Sequence, residues 1–246
     1  MKSIYDIELN SWDGVPGFLQ QYKGKVTIIA NTTVGCGNAN QLEPLQKIHE
    51  IYQDQDFAIV AIPTNDYCGT GVTYGEWKDG ITCGADSRNY GVKEYGVTFS
   101  YSEMVSSVPG DNVINGEDKV FGEPHELYKE LSAQAFELGK LSINDEKKDY
   151  LSPYLGLTNT GIKMFGNFEK YLVDRDGYLI KHFPCSVLNC GSEKTLTAEK
   201  NASGIQIGRN PEVTDEIMEE EFRVVCETIE DAIAEKIKSR LQLQLA

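Results

Sequence analysis

Two uninterrupted apolar runs on either side of an amphipathic segment most constrain what this chain can fold into. The runs VTIIAN at 26–31 and FAIVAIP at 57–63 are rich in β-branched residues and end at turn-forming residues, which is typical of strands buried on both faces. Between them, apolar residues recur every three or four positions from Asn40 to Tyr52, which predicts a helix packed by one face. This order of elements predicts a βαβ unit with parallel strands and a right-handed crossover.

Three further segments carry clear secondary-structure signals. The periodicity of apolar residues over 124–138 predicts a second helix. Two short apolar runs, 168–173 and 178–183, flank the turn-forming pair Asp176-Gly177 and predict a β-hairpin. An apolar stripe at helical spacing predicts one long last helix over 214–241.

The remaining segments complete the predicted architecture. Apolar and polar residues alternate over 4–9, ahead of a turn signal at 12–14, and predict a short N-terminal hairpin. The segment 64–98, rich in Gly, Asp, Thr and Tyr, does not decide between helix and loop. We therefore predict an α/β protein with a thioredoxin-like fold: a central mixed β-sheet flanked by helices, an N-terminal β-hairpin and a long C-terminal helix, in a single domain over 1–246.

The charge of the chain excludes some classes of partner. Acidic residues outnumber basic ones by 38 to 23, so the formal charge is −15. Such a charge repels the phosphates of nucleic acids and of anionic membranes, so we expect neither as a partner. The first residues lack the basic and apolar blocks of a secretory signal, and no run is long enough to span a bilayer. We expect a cytoplasmic protein in which the cysteines do not form a disulfide scaffold.

Cys36 lies between the first predicted strand and the first predicted helix, in the segment VGCGNANQ. Open α/β sheets place their sites where strands end, and the free N–H groups of a helix N-terminus stabilise a thiolate. Gly35 and Gly37 leave room for the backbone and for a small substrate close to the sulfur. Taken alone, these residues fit a reactive thiol and an inert cysteine packed in a turn equally well.

Four sequence blocks together favour the first alternative, because their combination resembles the glutathione peroxidase family. They occur in the order typical of that family and lie within a core over 4–183, whereas the loop and helix over 184–246 form a C-terminal extension that the resemblance does not reach. The blocks are the stretch from YKGK to PTND at 22–66, YGVTF at 95–99, HELYKEL at 125–131 and GNFEKYLVDRDGYLIKHF at 166–183.

The resemblance implies roles for individual residues. Cys36 matches the peroxidatic position, which implies that its sulfur attacks the O–O bond of a peroxide and becomes a sulfenic acid. Gln41 and Asn65 match residues that line the site in the family, and Asn167 matches an asparagine of the tetrad around the sulfur. The implied substrate is hydrogen peroxide or an organic hydroperoxide.

Two tetrad positions depart from the pattern of the family. Asp66 stands where the family has glutamine, and Gly166 stands where it has tryptophan, so two hydrogen-bond donors are lost. An ionised carboxylate beside a thiol also raises the pKa of that thiol, unless the carboxylate is protonated, points away or accepts a proton in the reaction. These departures motivate a second hypothesis, a weakened or inactive peroxidase-like scaffold that acts as a structural or interaction subunit.

A second cysteine is needed to recycle Cys36 in the way that cysteine-dependent members of the family commonly do. Cys83 precedes YGVTF on a glycine-bearing segment and is the first candidate for this resolving cysteine, and Cys68 is the alternative. Either can instead be an idle loop thiol. The implied reductant is thioredoxin or another dithiol protein. We predict no metal and no organic cofactor, and the sequence leaves homo-oligomerisation open.

Overall fold

The structure is a computed structural model that describes residues 1–33, 39–64, 83–107, 124–142, 157–158, 161–162, 168–183, 187–188 and 215–237. The strands in these residues are β1 (Val26–Thr32), β2 (Phe57–Pro63), β3 (Ser100–Tyr101), β4 (Leu157–Thr158), β5 (Gly161–Ile162), β6 (Lys170–Val173) and β7 (Leu179–Phe183). The α-helices are α1 (Leu42–Tyr52), α2 (Gly84–Tyr95), α3 (Glu126–Ser142) and α4 (Asp215–Ile233).

Strand β1 is the centre of a five-stranded sheet with the order β3-β2-β1-β6-β7. Strands β1, β2 and β3 run parallel. Strand β6 is antiparallel to β1 and forms an antiparallel hairpin with β7. Strands β4 and β5 make a separate two-stranded sheet. The mixed sheet flanked by helices confirms the predicted fold class, and β1, α1 and β2 form the predicted βαβ unit.

Helices cover both faces of the sheet, which explains why the two strands of this unit read as continuous apolar runs. Every residue of β1 and β2 is buried. Ile28 and Ala30 of β1 pack on the face that carries α1 and α4, whereas Ile29 packs on the opposite face with α3 and the N-terminal segment. We call these the α1 face and the α3 face. Strands covered in this way show no alternation of apolar and polar residues.

The observed boundaries lie close to the predicted ones. Strand β2 has the predicted bounds, and β1 continues to Thr32. Helix α1 follows a 3₁₀ turn at Ala39–Gln41, and α3 continues to Ser142 instead of ending at residue 138. The predicted hairpin is confirmed as β6–β7, with Gly177 at a φ of 84° in its turn.

Helix α2 lies in the segment that the sequence left undecided, and it packs through glycines. A side chain at Gly91 would come within 2.3 Å of the Tyr101 hydroxyl, and one at Gly84 within 2.2 Å of the Ser102 carbonyl oxygen. Gly96 ends the helix in the left-handed conformation, at a φ of 65°. A helix held by close glycine contacts has no wide apolar stripe, so the pattern of apolar residues did not reveal it.

The prediction of an N-terminal hairpin was wrong. Ile4–Asp6 form a 3₁₀ turn, and Ser11 makes an isolated antiparallel bridge to Ser102. The N–H group of Ile4 donates to the Gly177 carbonyl at 3.0 Å, so this segment is fixed against the β6–β7 turn. Its alternating apolar side chains are buried on the α3 face instead of on a hairpin of their own.

The last helix is shorter than predicted: α4 ends at Ile233 and does not continue to Leu241. Glu235 takes a left-handed conformation with a φ of 56°. Its N–H group donates to the Ala232 carbonyl at 3.1 Å, and the N–H group of Lys236 donates to the Asp231 carbonyl at 2.9 Å. This is the Schellman pattern that closes helices, here without the usual glycine. Residues 238–246 lie outside the described residues.

Candidate active site

The carboxyl ends of β1 and β2 and the beginning of β6 meet at one edge of the sheet, which we call the carboxyl edge. Parallel strands end on the same side, and an antiparallel neighbour begins there. The N–H group of Thr64 donates to the Thr32 carbonyl at 2.8 Å, and that of Phe168 donates to the Asn31 carbonyl at 2.8 Å. The N–H group of Asn31 in turn donates to the Glu169 carbonyl at 3.0 Å.

The segments that carry the predicted site residues all adjoin this edge. Thr33 directly precedes 34–38, with Gly35, Cys36 and Gly37, and Thr64 directly precedes 65–82. Phe168 directly follows Asn167. The described flanks of three distant sequence segments are therefore neighbours in the fold. The predicted site residues that lie outside the described residues are Gly35, Cys36, Gly37, Asn65, Asp66, Cys68, Gly166 and Asn167, and their roles stay predictions.

The carboxyl edge has buried polar side chains whose hydrogen-bonding capacity is not filled. Asn31, Thr32 and Thr64 are each less than 5% exposed. Asn31 Oδ1 accepts a long hydrogen bond of 3.4 Å from the Thr64 hydroxyl. Asn31 Nδ2 and Thr32 Oγ1 have no hydrogen-bond partner in the part of the chain that the structure describes. Buried polar atoms are nearly always bonded. In the described residues, unpaired ones also occur at His49, Ser87, Tyr101 and Arg175, so this edge is one of several places that have them.

Phe168 enters the sheet in a strained conformation. Its φ is 66°, and its side chain is fully buried on the α1 face. The left-handed region costs a residue with a side chain about 1–2 kcal/mol, and such strain is concentrated at functional sites. The conformation also explains why β6 begins at Lys170 and not at Phe168, as the apolar pattern predicted.

Gln41 is the one predicted site-lining residue that the structure describes. It is fully buried at the end of the 3₁₀ turn before α1. Its Oε1 atom accepts a hydrogen bond of 2.5 Å from the Lys170 ammonium. Sequence reasoning missed Lys170. A signal was present, since Lys170 lies two residues before Leu172 and so on the same face of a strand that is buried on both sides.

Sequence reasoning also missed a pair of ionisable side chains next to Lys170, the buried Glu169 and the partly buried His182. The Glu169 carboxylate and His182 Nε2 form a short hydrogen bond. The His182 ring stacks on Tyr171, with ring centroids 4.7 Å apart. Glu169 and His182 are 13 residues apart in sequence, so only the pairing of β6 with β7 brings them together.

Cys83, the first candidate for the resolving cysteine, is exposed at the N-cap of α2. Gly84 lies against Ser102 and Glu103, the residues that follow β3. Because β3 is parallel to β2, this places Cys83 at the carboxyl edge as well. The carboxyl end of β3 lies two strands from the carboxyl end of β1, which is about 10 Å along the edge. Cys83 Sγ lies 3.3 Å from Asp86 Oδ2 and donates a hydrogen bond to it.

Burial shifts the pKa values of a cysteine and two histidines that lie in other parts of the described chain. Cys226 lies on α4, where burial raises the pKa of its thiol and so favours a protonated packing residue. Burial lowers the pKa of His49 and that of His125. A lowered pKa favours the neutral form of each histidine. Cys185 and Cys190 lie outside the described residues.

The family model for glutathione peroxidase matches residues 4–131, slightly more than half of the chain. The chain belongs to the glutathione peroxidase family. The glutathione peroxidase homolog BsaA of Staphylococcus epidermidis is 34% identical over 183 residues, which cover 74% of this chain and 89% of that protein. The hydroperoxy fatty acid reductase gpx1 of Synechocystis is 29% identical over 181 residues, which cover 74% of this chain and 86% of that protein.

Membership of the glutathione peroxidase family confirms the resemblance drawn from the four sequence blocks. The match to the family model includes Cys36, Asp66 and Cys83, whereas Asn167 lies beyond it. Among solved structures, that of T. cruzi GPX1 is 22% identical with a TM-score of 0.47, over 76% of this chain and 88% of that one. Our fold assignment rests on the strand order and pairing. No helix in the described ranges is long and apolar enough to cross a membrane.

Proposed function

We propose that this member of the glutathione peroxidase family is a thiol-dependent peroxidase that uses Cys36 to reduce hydrogen peroxide or an organic hydroperoxide. The observation that carries the proposal is the meeting of Thr32, Thr64 and Phe168 at the carboxyl edge. These residues adjoin the three segments that hold Cys36, Asp66 and Asn167. The peroxidase names of the relatives are consistent with this chemistry.

The first half-reaction is a displacement at oxygen. The Cys36 thiolate attacks the distal oxygen of the peroxide, an S–O bond forms and the O–O bond breaks. Sulfur is oxidised to a sulfenic acid, and the departing oxygen takes up a proton to leave as water or an alcohol. In this proposal, Asn167 and the backbone N–H groups at the start of the helix stabilise the thiolate.

Asp66 has a definite place in this scheme. A carboxylate that replaces a neutral amide adds a negative charge where an anionic nucleophile has to form. We propose that Asp66 either accepts the thiol proton or turns away from the sulfur, and that Gly166 leaves open the space that a tryptophan fills in the family. Both departures lower the expected rate relative to a member that has the full tetrad.

The second half-reaction restores the thiol. A resolving thiol attacks the Cys36 sulfenic acid, an S–S bond forms and water leaves. A dithiol reductant of the thioredoxin class then reduces this disulfide by exchange and becomes a disulfide itself. Cys83 is the first candidate for this thiol, because it is exposed and lies at the carboxyl edge, and Cys68 is the alternative.

Lipid hydroperoxides are one substrate class to test, since the Synechocystis relative is named a hydroperoxy fatty acid reductase. The comparison is between hydrogen peroxide, cumene hydroperoxide and a fatty-acid hydroperoxide, each with thioredoxin and with glutathione as reductant. We expect turnover with thioredoxin and little with glutathione.

The decisive experiment maps the oxidised sulfur. The full chain is treated with one equivalent of hydrogen peroxide, the sulfenic acid is trapped with dimedone, and the modified residue is identified by mass spectrometry. We expect Cys36 to be labelled much faster than a free cysteine. In the Cys83→Ser variant the sulfenic acid should persist and the disulfide should not form, whereas Cys68→Ser should behave like wild type.

The same data can reject the proposal. Oxidation of Cys36 no faster than that of free cysteine would favour the second hypothesis, a scaffold without peroxidase activity. Persistence of the sulfenic acid in Cys68→Ser but not in Cys83→Ser would reverse the assignment of the resolving cysteine.

A further inference from the structure

Lys170 is a lysine whose side chain is buried at the first residue of β6, with only 1% of its surface exposed. A buried ammonium is costly unless hydrogen bonds replace its lost hydration. Its Nζ atom donates to Gln41 Oε1 and to the Val187 carbonyl oxygen, each at 2.5 Å. Short hydrogen bonds from a charged donor belong to the strong class.

These two bonds connect parts of the chain that are far apart in sequence. Gln41 ends the 3₁₀ turn that leads into α1, five residues after Cys36. Lys170 follows Asn167 by three residues. Beyond Val187, the Leu188 N–H group donates to the Glu221 carboxylate of α4 at 3.0 Å. The ammonium therefore joins the start of α1 to the start of β6, and both to the C-terminal extension.

We propose that Lys170 is a positioning residue for the peroxidatic thiol: through Gln41 it fixes the start of α1, and with it the segment of Cys36, against the start of β6. This rests on the proposed function, because it assigns Lys170 to the half-reaction with peroxide. A displacement of about 1 Å at a reacting group can cost about 100-fold in rate, so a fixed helix start matters. The positive charge at that end of α1 also favours an anion there.

A methionine at this position separates the packing role of the buried lysine from its hydrogen-bonding role. Methionine has a similar length and would fill the same space without a buried charge, and such exchanges are often tolerated by the fold. It cannot, however, hold two oxygen atoms from different segments. Lys170→Met should therefore lose the fixed helix start while the hydrophobic packing around Leu172 is preserved.

The test compares Lys170→Met with Lys181→Met in the full chain. Lys181 is the register partner of Leu172 on β7, and its Nζ lies 5.1 Å from the centre of the Phe183 ring. Its loss removes the same charge from the neighbouring strand and leaves the bond between Lys170 and Gln41 intact. Gln41→Met is the second variant, since it removes the acceptor and keeps the ammonium, and thermal unfolding of each variant reports on folding.

Two readouts are used. The first is the rate at which iodoacetamide alkylates Cys36, followed by mass spectrometry without any peroxide. The second is the pair of kcat/KM values for peroxide and for thioredoxin. In Lys170→Met and in Gln41→Met we expect about 10-fold slower alkylation and about 10-fold lower kcat/KM for peroxide, with kcat/KM for thioredoxin changed less than twofold. Lys181→Met should stay within twofold of wild type throughout.

Three outcomes would overturn the inference. The first is an unchanged rate of Cys36 alkylation in both Lys170→Met and Gln41→Met, and the second is an equal loss of kcat/KM for peroxide and for thioredoxin. The third is a loss in Lys181→Met as large as that in Lys170→Met. If Lys170→Met does not fold, Gln41→Met decides between these outcomes and the expected one. A wild-type chain that peroxide does not oxidise at Cys36 would reject the proposed function. Slower alkylation of Cys36 in the variants would support the positioning role even then, so the two failures are distinguishable.

Discussion

The two edges of the central sheet differ in how their buried hydroxyl groups are bonded. At the amino edge, where β1 and β2 begin and β6 ends, the Tyr5 hydroxyl lies 2.6 Å from the Lys25 carbonyl and 3.0 Å from Thr27 Oγ1. It also lies 3.2 Å from the Asp174 carbonyl. At the carboxyl edge, Thr32 Oγ1 has no hydrogen-bond partner in the described part of the chain.

Arg175 also lies at the amino edge, where its Nε atom has no hydrogen-bond partner among the described residues but its two terminal nitrogen atoms are bonded. Its guanidinium donates to the Gly24 carbonyl at 2.8 Å and to the Ile233 carbonyl at 3.0 Å, and it pairs with Asp56 at 3.1 Å. It thus ties the β6–β7 turn to the strand beginnings and to the end of α4. The carboxyl edge has instead a strained Phe168 and a buried Lys170. We infer that the amino edge stabilises the fold, while the costly groups at the carboxyl edge are retained for the proposed reaction site.

The largest expected effect lies at the carboxyl edge and concerns activity. Cys36→Ser should lower the rate of peroxide reduction by at least about 1000-fold, because a serine hydroxyl is not ionised at neutral pH and is a poor nucleophile towards oxygen. The measurement is peroxide consumption with thioredoxin as reductant. The free energy of unfolding should change little, and residual activity near that of wild type would show that the reaction does not use this residue.

The next effect lies at the amino edge and concerns stability alone. Tyr5→Phe removes a buried hydroxyl whose single hydrogen is nearest to the Lys25 carbonyl oxygen, 2.6 Å away, and leaves that oxygen without this donor. We expect the free energy of unfolding to fall by about 2 kcal/mol, as measured by urea denaturation. The rate of Cys36 oxidation by peroxide should remain within twofold of wild type. A large loss of rate at unchanged stability would contradict the division between the edges.

A matched pair of substitutions on β1 tests the contrast within one strand. Thr27→Val at the amino edge removes a hydroxyl that forms a hydrogen bond of 3.0 Å with the Tyr5 hydroxyl, so the free energy of unfolding should fall by about 1 kcal/mol. Thr32→Val at the carboxyl edge removes a buried hydroxyl that has no partner among the described residues, so stability should stay equal or rise by up to about 1 kcal/mol. Equal losses in the two variants would mean that the edges do not differ.

The smallest expected effect is a dependence of stability on pH. Burial lowers the pKa of His49 and that of His125 below the value of about 6.5 that they have in the unfolded chain. As pH falls below about 6.5, the unfolded chain takes up protons that the folded chain does not, so the free energy of unfolding decreases. The contribution of these residues is present above that pH and is lost as pH falls towards their folded pKa values.

Each histidine is only partly buried, so its contribution should lie well below the limit of about 1.4 kcal/mol per pH unit for one proton. Urea denaturation at pH 7.5, 6.5 and 5.5 measures it, with the variant His49→Asn/His125→Asn as control. Since carboxylates also titrate in this range, the difference between wild type and the variant is the relevant quantity. If the free energy of unfolding changed equally with pH in wild type and in the variant, the two histidines would not be the source of this dependence.

Much of the fold could be predicted from the sequence because its strands and helices carry strong local signals. The two apolar runs become β1 and β2, and the Asp176-Gly177 turn forms between β6 and β7. The family could also be predicted, since four blocks in a fixed order leave few alternatives. Helix α2 could not, because its packing depends on Gly84 and Gly91 meeting backbone and side-chain atoms of the chain after Val97.

Two of the wrong predictions, the N-terminal hairpin and the end of the last helix, have the same kind of cause. The alternation over 4–9 predicted a hairpin, but the hydrogen bond of Ile4 to Gly177 and the burial of Tyr5 use those residues in another way. The apolar stripe predicted that the last helix continues to Leu241, but Glu235 ends it after Ile233. In both cases a contact distant in sequence or an unusual backbone conformation outweighed a local pattern.

The βαβ unit, the β6–β7 hairpin, the family and the residues proposed for the chemistry could be predicted from the amino-acid sequence alone, because each depends on neighbours along the chain. Only the tertiary structure decided that the flanks of 34–38, 65–82 and 163–167 meet at one edge, since strand pairing joins residues more than 100 positions apart. Only the tertiary structure showed that Lys170 is buried against Gln41. A lysine looks solvent-exposed in sequence, and the cost of burying it is offset by oxygen atoms that folding brings from elsewhere.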